Sequence, residues 1–341
     1  MSTKPKKRVV TMIDVARHAG VSQTTVSFVL NNAETANIPD ETRQRVLASI
    51  AELGYRPNVL AQGLRLQRSG IFGFVTDQIA ITPHAGKIFE GAQDVAWDNG
   101  KILMLVNTKS NPDLEATAIN LLLGRRVEGI IYATMYHRPT KLLPSLREIP
   151  TVLLDCFVED RQLPSVVPDE FGGGYAAVKY LLEKGHRRIG FVNHVLDIPA
   201  ATGRLAGYKS ALNDYGISFD PELVCYDESR QDNGYQCARQ LLQKENRPTA
   251  LFCFNDRTAM GVYDAIRNLD FKIPEDVAVV GFDNQEIIAA HLYPPLTTME
   301  LPHYQMGVWA VQKLVEILSG VEQTNPVQHK MPCPLIERGS A

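Results

Sequence analysis

The chain has 341 residues, of which 45% are hydrophobic and 21% charged, with a formal net charge of −3. That length suits two or three domains, and the composition is that of a globular protein in water. No run approaches the roughly 18 apolar residues of a membrane helix, no apolar segment follows the basic N-terminus as a secretion signal would need, and the five scattered cysteines and eight histidines show no metal-binding spacing. The cysteines (Cys156, Cys225, Cys237, Cys253, Cys333) read as separate reduced thiols, mostly buried, in a cytoplasmic protein that needs no cofactor.

The small net charge conceals a division. Residues 1–68 carry ten Lys and Arg against five Asp and Glu, whereas the rest of the chain carries 25 against 33. A basic head of this kind is the footprint of a phosphate-binding module. Within it, Ile13, Val15, Ala16 and Ala19 recur at helical spacing, and Gly20 supplies the positive φ of a sharp helix exit. Ser22 is a good N-cap for a second helix whose inner face continues through Val26 and Val29. Two short helices turned by a glycine make either a plain αα-corner or a helix-turn-helix, whose second helix enters a DNA major groove. A polar loop follows, and Pro39-Asp40-Glu41 opens a third helix with Val46, Leu47, Ile50 and Leu53 as its apolar stripe and Gly54 as its stop. Residues 59–66 form a brief helical candidate, too short to be stable alone in water.

From Gly70 the periodicity changes. Short apolar runs at 71–75, 102–106, 129–133 and 152–155 alternate with amphipathic segments near 85–98, 113–123 and 140–147. The alternation then repeats, with strands at 188–192, 250–254 and 277–281 and helices at 172–184, 203–215, 233–244 and 256–268. A last helix near 303–319 and a strand near 332–336 would add crossings between the two sets. This predicts two similar subdomains, each a doubly wound parallel sheet, with a cleft between them. Trp97 and Trp309 read as core residues of their helices, Cys253 as a buried strand thiol and His186 as a turn residue. Ligands of such sheets bind at the carboxyl ends of strands. Asp155, Asn255, Asp256 and Asp283 all fall there, and Arg204 opens the helix after another strand. Each alone reads as a helix cap. Together they form a polar cluster suited to a hydroxylated ligand.

On these residues the chain resembles the lactose/galactose-repressor family of bacterial transcription regulators. The resemblance rests on Asp14-Val15-Ala16, Ala19-Gly20-Val21-Ser22, Thr25-Val26-Ser27, Leu30-Asn31, Glu41-Thr42-Arg43, Leu53-Gly54-Tyr55-Arg56-Pro57-Asn58 and Ala61-Gln62-Gly63-Leu64-Arg65. It continues through Gly185-His186-Arg187-Arg188-Ile189, Arg204-Leu205-Ala206-Gly207-Tyr208, Asn255-Asp256, Val280-Gly281-Phe282-Asp283 and Pro295-Leu296-Thr297-Thr298. It implies a DNA-binding domain at 1–57, a hinge helix and linker at 58–69, and an effector-binding and dimerisation core at 70–341 resembling periplasmic sugar-binding proteins. It also implies a homodimeric repressor on a near-palindromic double-stranded operator, controlled by a small-molecule effector, with no membrane contact.

The residues that would meet DNA are then Thr11, Ser22, Gln23, Thr24, Thr25, Ser27, Phe28, Asn31, Tyr55, Asn58, Ala61, Leu64 and Arg65. Gln23 and Thr24 would read bases, and Leu64 would wedge a minor-groove base step. Those that would meet effector are Lys87, Asp155, Arg204, Asn255, Asp256 and Asp283. Two departures stand out. Phe28 occupies a place where many relatives have Arg, so it either touches a thymine methyl or packs. Pro83-His84-Ala85-Gly86-Lys87 replaces the aromatic pair that many sugar-responsive relatives carry after the first core strand. Control by a co-regulator protein is the main alternative. A solute-binding protein would need a secretion signal and no DNA-binding head, and a sugar-processing enzyme would need a catalytic motif that the chain lacks.

Overall fold

A computed structural model describes residues 10–30, 37–55, 69–79, 86–320 and 326–341. The chain divides into two compact units, Met1–Ser69 and Gly70–Ala341. The expected hinge helix, with Asn58, Ala61, Leu64 and Arg65, lies outside the described residues, as do Asn31 and Pro83-His84-Ala85.

The first unit is built of α1 (Met12–Ala19), α2 (Gln23–Leu30) and α3 (Asp40–Leu53). Thr11 caps α1 reciprocally: its hydroxyl accepts from the Asp14 amide, and the Asp14 carboxylate accepts from the Thr11 amide at 2.9 Å. Gly20, at φ 65°, ends the helix in the left-handed conformation. The Ser22 hydroxyl then accepts from the Thr25 amide at 3.1 Å, starting α2. Val15, Ala16, Ala19, Val26, Val29 and Val46 make the core. Two expectations fail: Ile13 is 54% exposed and Leu47 is 44% exposed. On a helix of 3.6 residues per turn, Ile13 points about 200° away from Val15, and Leu47 about 100° away from Val46. In three helices this short, only a narrow stripe of each is covered.

The second unit holds two six-stranded sheets. In the first, β1 (Ile71–Thr76), β2 (Ile102–Asn107), β3 (Gly129–Pro139), β4 (Thr151–Phe157), β5 (Ser165–Pro168) and β11 (Gln328–Met331) run parallel in the order β11-β5-β4-β3-β1-β2. In the second, β6 (Ile189–His194), β7 (Val224–Asp227), β8 (Ala250–Cys253), β9 (Ala278–Asp283), β10 (Thr297–Glu300) and β12 (Leu335–Ile336) follow β12-β10-β9-β8-β6-β7, with only β12 antiparallel. The inner strands are buried on both faces, and so read as unbroken apolar runs.

Helices cover both faces of each sheet. On the first, α4 (Gly86–Asp98) and α10 (His303–Leu318) bury Ile88, Ala92, Met306, Ala310 and Leu314 against Phe72, Phe74, Ile131 and Val152. On its other face, α5 (Pro112–Gly124) buries Ile119 and Leu122 against Val75, Ile130 and Leu153. On the second sheet, α6 (Glu170–Glu183) and α7 (Pro199–Asp214) lie on one face, and α8 (Gln231–Leu242) and α9 (Asp256–Asn268) on the other. The chain crosses between sheets three times: after β5, after β10 and after β11. No helix among the described residues is long and apolar enough to cross a membrane.

Several expectations need correction. The helix expected at 140–147 is one short 3-10 turn at Pro144–Arg147, because β3 runs on to Pro139. Strands β5, β7, β10 and β11 have four residues each, too few to show a period in sequence. Trp97 is 70% exposed rather than in the core, whereas Trp309 is half-buried and stacks on His329 with ring centroids 5.5 Å apart. Cys253 is a buried strand thiol as expected. Cys225 and Cys237 are joined as a disulfide rather than lying apart.

Candidate nucleic-acid interface and ligand cleft

Helix α2 presents a polar face beside its buried valines. Gln23 and Thr24 in its first turn are exposed, and no acidic residue accompanies them there. Phe28, one turn further on, is 37% exposed, so it is not consumed by the core. Ser22 and Thr25 are bound to one another, with 2.9 Å between their hydroxyl oxygens, and so hold the start of the helix rigid. Ser27 is half-buried, and Thr11 is committed to its capping box. Tyr55 packs against the three-helix core. Arg45 donates from Nε to the Ala19 carbonyl at 2.9 Å, which ties α3 to the end of α1 just before the turn into α2. The exposed start of α2 is thus fixed from both sides.

In the second unit, a cavity of about 100 Å³ opens between the two sheets. The first sheet contributes Met135, Tyr136, His137, Asp155 and Pro168. The second sheet and its helices contribute Glu170, His194, Ile198, Arg204, Glu228, Ser229, Phe254, Asn255, Arg257 and Asp283. Two aspartates are placed alike, Asp155 two residues short of the end of β4 and Asp283 at the end of β9. Asp155 has φ 55° and Asp283 has φ 106°. Non-glycine residues hold such angles only where their surroundings impose them, and they cluster at binding sites.

Arg204 is the most constrained of the cleft residues. Its Nε donates to Glu170 Oε2 at 2.7 Å, its Nη1 donates to the Phe254 carbonyl, and its guanidinium lies 3.6 Å from the Phe282 ring centroid. Both partners of this ion pair are almost wholly buried. The pair forms because α6 and α7 approach closely: a Cβ on Gly174 would lie 2.5 Å from the Arg204 carbonyl oxygen. Burial pushes the Glu170 carboxyl up, and Arg204 holds it down.

Asp155 is 6% exposed, and its Oδ1 has no hydrogen-bond partner. Burial, and then the carboxylates of Glu170 and Asp77, hold its pKa well above the usual carboxylate range. His137 Nδ1 and Ser229 Oγ are likewise buried and unpartnered. Burial, with Arg161 and Lys330 nearby, lowers the His137 pKa to about 4, so its imidazole is neutral near pH 7. Asp283 Oδ2 accepts from Gln285 Nε2 at 2.8 Å while the residue still faces the cavity.

The structure therefore brings Asp155, Arg204, Asn255 and Asp283 together, but it assigns Asn255 and Asp256 other work. The Asn255 side-chain oxygen caps α9, accepting from the Thr258 amide at 2.8 Å, and its side-chain nitrogen, the one group left toward the cleft, donates to the Ser229 carbonyl at 3.5 Å. Asp256 does not reach the cavity, contrary to expectation. It is fully buried, and its two oxygens accept from the Gln285 amide and the Thr298 hydroxyl, each at 2.6 Å. On a helix, the residue after the cap turns about 100° away from it, here into the sheet. Lys87 lines an adjoining hollow with Asp283, Asn284, Gln285, Glu286 and Glu300.

Sequence reasoning missed His137, Glu170, His194, Glu228, Ser229 and Arg257. His137 lies beyond the apolar part of β3, and Glu228 and Ser229 follow the short β7. Glu170 did carry a signal, as one of two acids opening α6, but that reads as an ordinary helix start.

Comparison with known proteins matches this architecture along nearly all of the chain. The model for bacterial regulatory proteins of the lacI family matches residues 11–58, and that for the periplasmic binding protein-like domain matches residues 178–341. The chain is 32% identical to the HTH-type transcriptional repressor PurR of Vibrio atlanticus (strain LGP32), over 97% of this chain and 98% of that protein. It is 35% identical to the HTH-type transcriptional regulator RegA of Clostridium saccharobutylicum, over 96% of this chain and 98% of that one. Among solved structures, the lac repressor dimer bound to operator and the anti-inducer ONPF aligns with a TM-score of 0.81 at 28% identity, covering 98% of this chain and 99% of that one. Likeness of this extent over both units places the chain in the lacI family of bacterial regulatory proteins, which are sequence-specific DNA-binding repressors and not enzymes.

Proposed function

We propose that this regulator senses a small polyhydroxylated molecule, a sugar or sugar derivative, in the cleft between its sheets and alters its hold on operator DNA in response. The observation that carries the reading is the trio of His137 Nδ1, Asp155 Oδ1 and Ser229 Oγ, all buried, unpartnered and lining one cavity. A buried polar group left unsatisfied costs about 1–3 kcal/mol. A ligand rich in hydroxyls, each both donor and acceptor, offsets that cost three times over. Arg204 and Asp283 extend the set with a planar donor and a carboxylate acceptor.

On the DNA side, Gln23 and Thr24 read base edges, Phe28 supplies an apolar contact, and Ser22, Thr25 and Ser27 position the helix on phosphates. Thr11, Asn31, Tyr55, Asn58, Ala61, Leu64 and Arg65 are assigned to the same surface, with 58–69 as the hinge between a head at 1–57 and a core at 70–341. The working unit is a homodimer. Support comes from the edge strand β2, which exposes Ile102 and Leu105, and from Leu114 and Leu121 exposed on the neighbouring α5. The lac repressor structure that the chain matches is a dimer on operator.

A thermal-shift screen of the full chain with sugars, sugar phosphates, nucleosides and polyols tests the ligand reading. One class should raise the melting temperature, and His137→Ala should reduce that rise. If no class raises it, control passes to a partner protein.

A further inference from the structure

One pair of side chains has no task in the scheme above: Cys225 of β7 and Cys237 of α8, bonded with their Cα atoms 5.7 Å apart. Cys156, Cys253 and Cys333 are buried, and burial pushes each thiol far above its ordinary pKa, which leaves them inert. Cys225 differs. It is half-buried on β7, the edge strand of its sheet, where a small thiol can approach. A protein that works on bacterial DNA works in a reducing compartment, where a disulfide is usually a transient or sensing device rather than a permanent staple.

The position of the bridge points the same way. It spans a sequence separation of 12, so it restrains the unfolded chain less than a bridge across a long loop would. The sheet beneath is already held by Val192, Ala238, Leu241, Leu251 and Val262. What the bridge encloses is the cleft wall. After pairing with β6 as far as Asp227, the chain turns through Glu228 and Ser229, which line the cavity, and enters α8 at Gln231. Ser229 is held at φ 59° with a buried, unpartnered hydroxyl, and its carbonyl accepts from the Asn255 amide nitrogen at 3.5 Å. Cys225 and Cys237 thus stand at the two ends of the segment that presents Ser229 to the ligand.

We propose that Cys225 and Cys237 are a reversible thiol–disulfide pair whose oxidation stiffens the cleft wall carrying Glu228 and Ser229. The oxidant is a low-molecular-weight disulfide of the glutathione class. One cysteine thiolate attacks its S–S bond and expels one thiol. The other cysteine thiolate then attacks the mixed disulfide and expels the second. Two electrons and two protons pass from the protein pair to the oxidant, and excess thiol reverses both steps. The consequence for sensing rests on the cleft reading above, but the test needs no effector.

The full chain is equilibrated in oxidised and in reduced glutathione; because Cys237 is only 2% exposed, one portion is quenched in acid, denatured and alkylated for mass spectrometry, and another is followed by hydrogen exchange. Expected are two additional labels, on Cys225 and Cys237, in the reduced sample only, and their loss on reoxidation. Exchange across 226–236 should quicken roughly tenfold on reduction while the α5 peptide stays unchanged. In hydrogen exchange, Cys225→Ser should behave like the reduced protein in both buffers. A pair that labels in every mixture, or in none, overturns the proposal, as does equal exchange across 226–236 in the two states. If the exchange changes as expected but no sugar, nucleoside or polyol binds, the cleft reading fails while the thiol pair stands.

Discussion

The polar side chains proposed to meet DNA and those proposed to meet the ligand are set up in opposite ways. Gln23 and Thr24 are exposed neighbours on one turn of α2, held by local devices: the Ser22 hydroxyl on Thr25, the Gly20 turn and the Thr11 capping box. His137, Asp155, Arg204, Ser229 and Asp283 come from five separate segments and are placed only by the packing of two sheets and the crossings between them. A site made locally on a surface can change its specificity without disturbing the fold. In a buried site made from distant segments, a residue tied into the packing, as Arg204 is, affects stability as well as recognition.

Arg204 should break that symmetry most strongly. Arg204→Ala leaves Glu170 buried without its partner, and the cost of breaking such a pair is about 3–5 kcal/mol. Denaturant unfolding of the core should show a loss of that size, together with loss of ligand response. A variant as stable as the parent would mean that Glu170 finds solvent.

Two neighbouring acids sharpen the contrast next. Asp256→Ala removes the acceptor for the Gln285 amide and the Thr298 hydroxyl, and should lower stability by about 1–3 kcal/mol with ligand selectivity kept. Asp283→Ala should do the reverse, abolishing ligand response at little cost to stability. Melting temperature and ligand-dependent DNA binding, measured side by side, separate the two.

His137 ties the cleft to pH. The fold holds its pKa near 4, below the ordinary 6.5 or so of an unfolded histidine. Between those values the unfolded chain binds the proton more readily, so stability contributed by neutral His137 is present above about pH 6.5 and is lost as pH falls toward 4. Asp155, Glu170 and Asp256, whose pKa values are raised, act in the opposite sense in acid. The informative quantity is therefore the difference between parent and His137→Gln. The parent should lose stability faster over that interval, and parallel curves would remove His137 from the account.

In the head the effects are smallest and separable. Thr11→Ala forfeits the capping box and should cost about 1 kcal/mol of head stability. Gln23→Ala should change stability by less than about 0.5 kcal/mol, while relaxing base preference by about 1–3 kcal/mol.

The same contrast explains what the sequence reveals. The head is legible because its signals are local: Gly20 does adopt the positive φ expected of it, Gly54 does end its helix, and Ser22 does cap α2. The long core helices and the apolar strands are legible for the same reason. Strand ends place Asp155 and Asp283 correctly at the cleft, because a parallel sheet directs all its carboxyl ends one way. The same rule fails for Asp256, since one step past the cap turns the side chain into the sheet. His137 and Ser229 gave no signal, because a histidine past a strand and a serine in a turn acquire meaning only when the second sheet covers them. Nor did spacing reveal Cys225 and Cys237, which meet only because β7 and α8 lie side by side.

The central claim is that the start of α2 reads the DNA sequence while the cleft only modulates binding. Binding-site selection from random duplexes, run with the full-length parent, Gln23→Ala and Asp283→Ala, tests it most directly. The account predicts one near-palindromic site for the parent, the same site for Asp283→Ala, and a relaxed or altered base at one position of each half-site for Gln23→Ala. An unchanged preference in the Gln23 variant, or a changed one in the Asp283 variant, would contradict it.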